Sequence, residues 1–150
     1  STPTSQFVID SNNNANDMDS YYIEVSSSWW ASTSVSGFYN TGYWVAPTQA
    51  VSDPASFWFY NDDPTCWKVE AWWTAATDRP GSVSFVGWDE DDNEVGRSTV
   101  SQKINGGKWN KLGDWEFSGG WNRVLLSRWT TTGSYAIADA VRLTPSTACN

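Results

Sequence analysis

The sequence predicts an all-β fold, an antiparallel β-sandwich of jelly-roll type, and three observations predict it. Apolar and polar residues alternate with a period of two through most of the chain. No window carries the 3.6-residue apolar stripe of an amphipathic helix. Short alternating runs recur at regular spacing, separated by Gly, Pro, Asn and Asp, which is the pattern of sandwiches and barrels.

Each strand has its own boundary signal. A first strand over residues 6–9 stops at the Asn-rich segment 12–16, and a second follows over 21–25. A third covers 37–46. Asp53 and Pro54 precede a strand at 56–60, and residues 61–64 divide it from one at 67–74. Arg79-Pro80-Gly81 opens the strand at 82–88, and the acidic run 89–93 separates it from 98–104. Asn105-Gly106-Gly107 leads into 111–117, Ser118-Gly119-Gly120 into 123–129, and the polar turn 131–133 into 135–143. Residues 1–5 read as a linker remnant, and residues 6–150 as one domain, a size that buries roughly 68 to 70% of the unfolded surface.

Twelve tryptophans share these 150 residues with no histidine. Tryptophan is a core filler and also a flat platform for a sugar ring, whereas histidine is the commonest proton shuttle and metal ligand. The composition therefore favours a binder. A net charge of -8 with nine scattered basic residues offers no stripe for phosphates, which excludes nucleic acid as the expected partner. No apolar run approaches the ~20 residues of a membrane helix.

Cys66 and Cys149 are too few and too distant in sequence for a zinc motif, and no histidine completes one. A disulfide between them fits the polar, low-charge composition of an exported protein; two free buried thiols are the alternative.

The residues then carry a resemblance. Val8-Ile9-Asp10, Trp29 or Trp30, Gly37-Phe38-Tyr39 with Gly42-Tyr43, Ala55-x-Phe57-x-Phe59 and Val69-x-Ala71-Trp72-Trp73 follow one another. Ser101-Gln102, Gly107-x-Trp109, Leu112-Gly113-x-Trp115-x-Phe117, Val124-x-Leu126 and Ala138-Asp139-Ala140-Val141-Arg142 complete the series. In order and spacing these motifs resemble the golvesin C-terminal-like domain, also called the xanthan lyase carbohydrate-binding-like domain. The chain departs from it at Thr65-Cys66-Trp67, where that family has Gly-x-Tyr, and in its surplus of tryptophans. The resemblance implies a secreted accessory module tethered to a bacterial enzyme, with a binding role and Trp109 and Trp115 as structural residues.

Parity singles out the candidate ligand residues. Alternate strand residues point to opposite faces, so Ala55, Phe57 and Phe59 face the core while Trp58 and Tyr60 face outward. Likewise Trp67, Val69, Ala71 and Trp73 face inward and leave Lys68, Glu70 and Trp72 on the other side. If residues 61–66 form a hairpin, Trp58, Tyr60, Lys68, Glu70 and Trp72 share one surface, with rings to stack on sugars and polar groups to bond hydroxyls. The same residues serve as ordinary core if another segment covers that face. Trp129 follows the outward parity of its strand, and Trp44 and Trp88 either rim a groove or plug one end of the sandwich.

Residues 10–19 have the oxygen-rich spacing of a calcium loop but lack the Gly and distal Glu of an EF-hand. Asp139 shares its parity with apolar neighbours, which buries its charge unless a cation or hydrogen bonds compensate it. Asp10, Asn12 and Asp139 are therefore the candidate ligands of a structural calcium ion, and a plain polar turn is the alternative. The acidic run 89–94 reads as a solvated hairpin tip, with a second metal loop as its rival.

Without histidine, a Ser/His/Asp triad, a Cys/His nucleophile and a zinc hydrolase are excluded within this chain. A glycosidase pair of carboxylates, or a lyase using Tyr with Lys or Arg, remains open, but no such pair stands in a recognisable setting. The expected function is polysaccharide binding by a non-catalytic module. A protein-interaction or adhesion module using the same aromatics, and a ligand-free stability domain, are the alternatives.

Overall fold

Alternation along the sequence becomes two packed sheets. A computed structural model of the chain describes residues 5–149, and of the linker remnant expected at residues 1–5 all but Ser5 lies outside the described residues. The strands are β1 (Phe7–Asp10), β2 (Tyr21–Glu24), β3 (Trp30–Ser32), β4 (Tyr43–Pro47), β5 (Ala55–Asn61) and β6 (Thr65–Trp72). They continue as β7 (Val83–Trp88), β8 (Glu94–Val100), β9 (Asn110–Phe117), β10 (Gly120–Leu126), β11 (Tyr135–Ala138) and β12 (Ala140–Pro145), with a 3-10 turn at Asn13–Ala15. One sheet has the order β1-β12-β6-β9 and the other β2-β5-β10-β7-β8; β11-β4-β3 forms a third, smaller sheet. All pairings are antiparallel, which gives the jelly-roll sandwich predicted from the sequence.

The inward faces meet as parity requires. Ala55, Phe57 and Phe59 of β5, and Trp67, Val69 and Ala71 of β6, are all fully buried. Phe59 meets Phe117 of the opposite sheet edge-on, with ring centroids 4.9 Å apart. Such T-shaped pairs satisfy the quadrupoles of both rings. Trp115 needs room as well. It lies across the backbone of the other sheet where only glycines fit, and a Cβ at Gly87 would sit 2.8 Å from its ring.

Strand boundaries differ from the alternation pattern where side-chain chemistry intervenes. Only Tyr43–Pro47 of the expected strand 37–46 pairs, because Gly37, Asn40 and Gly42 take positive φ and make residues 37–42 a loop. The expected strand 135–143 breaks at Asp139 into β11 and β12. β8 begins at Glu94, inside the acidic run, whose tip is tied by the Asp89 carboxylate accepting from the N–H groups of Asp91 and Asn93. That geometry is the solvated hairpin tip. The fully buried Gln102 bonds both the N–H and the C=O of Ile137 at 2.9 Å, standing in for a neighbouring strand at the edge of β11.

The Cys66–Cys149 disulfide is present, with a Cα–Cα distance of 5.9 Å. It joins the start of β6 to the segment after β12.

Candidate functional site

The expected single platform is divided between two sheets. β5 lies in the five-stranded sheet and β6 in the four-stranded one, so residues 62–64 are a crossover between sheets, not a hairpin. The fully buried Asn61 anchors that crossover, its amide donating to the Ser118 carbonyl and its oxygen accepting from Trp67 Nε1 at 3.2 Å. Trp58 and Tyr60 thus lie on one broad face of the molecule, and Lys68, Glu70 and Trp72 on the opposite one. Parity gives the orientation of a side chain relative to its own strand. It does not say which strand lies alongside.

On the five-stranded sheet the outward positions of four adjacent strands collect aromatic rings. Register aligns Tyr22 with Trp58, Trp58 with Arg123, Tyr60 with Trp121 and Arg123 with Trp88. Tyr22 stacks on Trp58 at 6.4 Å between centroids and meets Trp121 edge-on at 5.6 Å, while Tyr60 meets Trp121 at 5.5 Å. Trp58 Nε1 donates to Glu24 at 3.1 Å. The Arg123 guanidinium lies 5.1 Å from the Trp58 ring centre and 5.8 Å from that of Trp88, both within cation–π range. All five rings are half-buried. Tyr22, Trp121 and Arg123 were missed by the sequence reading. The sequence pattern starts this strand at Arg123, although the inward parity of Val124 already places Arg123 and Trp121 outward.

The four-stranded sheet presents a different surface. Glu70 is 8% exposed and accepts two hydrogen bonds from Arg142, each 2.9 Å, with Lys68 3.9 Å away. Of the polar groups expected to meet a ligand, Glu70 is therefore paired across strands with Arg142, and Lys68 lies beside it on the same strand. Trp72, Tyr39 and Trp109 pack mutually at 5.3 to 5.5 Å, and Arg142 covers Trp109 at 4.6 Å. Trp72 Nε1 donates to the Gly37 carbonyl at 2.8 Å. Trp109, expected to be structural, is a half-buried member of this surface cluster, whereas Trp115 is core as expected at 7% exposed.

Asp10 and Asp139 both grip the loop that carries Tyr39. Asp139 Oδ2 accepts from the Tyr39 N–H at 2.8 Å, and Asp10 Oδ2 accepts from Asn40 Nδ2 at 2.7 Å. Asp139 is 1% exposed and its Oδ1 has no partner. Burial pushes its carboxyl up to about 8, the Tyr39 N–H opposes that shift, and the Asp10 charge reinforces it. Asn12, expected beside them, is turned away: its oxygen caps the 3-10 turn and its Nδ2 donates to Thr41. Asn readily caps its own turn in this way. Cys66, Glu116 and Cys149 also cluster, but both sulfurs are joined in the disulfide and offer no thiolate.

The remaining tryptophans divide by burial. Trp29, Trp67 and Trp73 are core. Trp129 is 60% exposed and stands apart from the other rings, and Trp30 meets Tyr135 edge-on at 5.9 Å. Trp44 Nε1 donates to the Ser11 carbonyl at 2.6 Å and lines a 470 Å³ cavity with Thr41, Tyr43 and Ser32, which makes it a groove wall.

Solved structures share this architecture. A Paenibacillus xanthan lyase matches with a TM-score of 0.70 at 21% identity, over 97% of this chain and 13% of that one. A CBM35 from Paenibacillus barcinonensis matches at 0.63 and 11% identity, over 93% and 99% of the two chains. A family 35 carbohydrate-binding module from Clostridium thermocellum matches at 0.59 and 9% identity, over 95% and 99%. The protein thus has a carbohydrate-binding-module-like fold, and the modules are matched from end to end whereas the lyase is matched over a small part of its length. The golvesin C-terminal domain family model matches residues 12–145, and the chain belongs to that family. Among curated proteins none matches the chain.

Proposed function

We propose that the protein is a non-catalytic carbohydrate-binding module of a secreted bacterial protein, and that it holds polysaccharide on the outer face of its five-stranded sheet. The observation that carries this reading is the continuous run of Tyr22, Trp58, Tyr60, Trp121 and Trp88 on a face that the core does not need. The interior is already filled by Phe57, Phe59 and their partners from the opposite sheet. Half-buried rings present apolar surface to the apolar faces of sugars, and Glu24 and Arg123 supply hydrogen-bonding groups among them. Weak single-site affinity suffices when such a module is tethered to an enzyme, because tethering raises effective concentration. The disulfide fits an oxidising, extracellular compartment.

Calcium belongs to the same proposal. Asp139 Oδ1 is a buried carboxylate oxygen lacking a partner, and Asp10 is the charge nearest in effect to it. These two residues would hold the ion, with backbone carbonyls and water completing the six to eight oxygens that calcium takes. The ion would supply fixed positive charge beneath the Tyr39 loop. Binding to the folded state adds about 2.7 kcal/mol of stability at a hundredfold excess over Kd and so raises the melting temperature. A melting curve that neither calcium nor a chelator moves, with no metal in elemental analysis, contradicts it.

Native gels cast with single polysaccharides test the binding role. The proposal expects selective retardation by one class of polymer. Uniform migration through every gel in a broad panel contradicts it.

A further inference from the structure

The chain contains five arginines, and four of them are neutralised. Arg79 pairs with Asp78, Arg97 with Glu94, Arg128 with Asp53 and Arg142 with Glu70. Arg123 alone has no carboxylate partner among the described residues. It also lies at the centre of the aromatic face, between the rings of Trp58 and Trp88.

Arg142 shows what completes this arrangement. Both arginines lie over an indole ring, Arg142 over Trp109 and Arg123 over Trp58. Stacking uses the flat side of a guanidinium and leaves the N–H groups at its edge, pointing sideways, for a carboxylate. At Arg142 that edge is taken by Glu70 through two parallel bonds of 2.9 Å. At Arg123 none of the described residues takes it. Held by two rings on a rigid strand, the guanidinium loses little freedom on forming that pair.

Local charge agrees. The protein carries a net charge of -8, which repels anionic polymers at a distance. On this face, however, Arg97 is paired with Glu94, three residues earlier on the same strand, β8, and Glu24 is engaged with Trp58 Nε1. Among the described residues Arg123 is thus the one basic group available to a ligand there.

We infer that Arg123 makes the aromatic face selective for polysaccharides that carry carboxylate groups, with the rings stacking on the sugars and the guanidinium bonding a uronate or similar acid. This inference rests on the binding face proposed above. Hydrogen bonds to a charged partner are the stronger kind, so loss of the pair weakens binding by about tenfold or more.

The test is affinity electrophoresis of the intact domain in polygalacturonate, alginate and xanthan, in carboxyl-reduced forms of each, and in neutral glucomannan and xyloglucan. The variants are Arg123→Gln, Arg123→Lys and Trp58→Ala, each checked for an unchanged unfolding midpoint. The expected result is retention by at least one acidic polymer, its loss on carboxyl reduction, its weakening by about tenfold in Arg123→Gln, and partial rescue in Arg123→Lys. Retention that survives carboxyl reduction, or is unchanged in Arg123→Gln, overturns the inference. If that retention is still lost in Trp58→Ala, the binding face stands without its acid selectivity. Retention by neutral polymers alone overturns it too, and retention by none of the polymers removes both.

Discussion

Replacing Asp139 by Asn should flatten the pH dependence of stability. In the metal-free native state Asp139 holds its proton up to about pH 8, because burial disfavours the carboxylate and Asp10 adds a like charge. The unfolded chain releases that proton near 3.8. Between these values folding takes up a proton, so stability falls as pH rises; the contribution is complete below 3.8 and lost as pH passes through 8. At 1.36 kcal/mol per unit, the chelator-treated wild type should lose about 4 kcal/mol more than Asp139→Asn between roughly pH 4.5 and 7.5. Asn keeps an oxygen to accept from the Tyr39 N–H, so the loop contact survives the substitution. The assay is urea unfolding of both proteins at several pH values, read as the difference between them. Parallel profiles would refute the reasoning, because Asp139 would then be ionised in the fold at no cost.

Other substitutions probe packing and cross-linking. Removing the Cys66–Cys149 bridge, which spans 83 residues, should destabilise the domain by about 4.5 kcal/mol on the chain-entropy account; denaturant midpoints of the double Ala variant check it, and equal midpoints contradict it. Gly96→Ala drives a methyl into the Trp115 indole and should cost about 1 to 3 kcal/mol, whereas Gly81→Ala, whose methyl would meet only the Lys103 side chain at an ordinary contact distance of 3.9 Å, serves as the control. Trp67→Ala empties a fully buried site and should cost about 3 to 5 kcal/mol by thermal or urea unfolding.

The inward and outward residues of each strand were legible in the sequence because the side-chain period is two and the core is apolar. Phe57, Phe59, Trp67, Val69 and Ala71 are all buried as read. Strand neighbours were not legible. Backbone hydrogen bonds carry no side-chain signature, so the turn after Asn61 read equally well as a hairpin or a crossover. That ambiguity groups Lys68, Glu70 and Trp72 with Trp58 and Tyr60, although β5 and β6 lie in different sheets. Trp121 escaped notice because Gly119 and Gly120 looked like turn alone, although Gly120 already pairs with Asn61. The burial of Asp139 was readable from parity, but its contact with Tyr39, 100 residues earlier in the chain, was not.

The central claim is that sugars bind on the aromatic face of the five-stranded sheet, and the double variant Trp58→Ala/Trp121→Ala tests it most directly. Both side chains are half-buried and outside the core cluster, so the folded state should persist. Retention on the polysaccharide that binds the wild type should fall by more than about tenfold while far-ultraviolet dichroism and cooperative unfolding are kept. Undiminished retention in this folded variant would contradict the account and place the ligand elsewhere on the molecule.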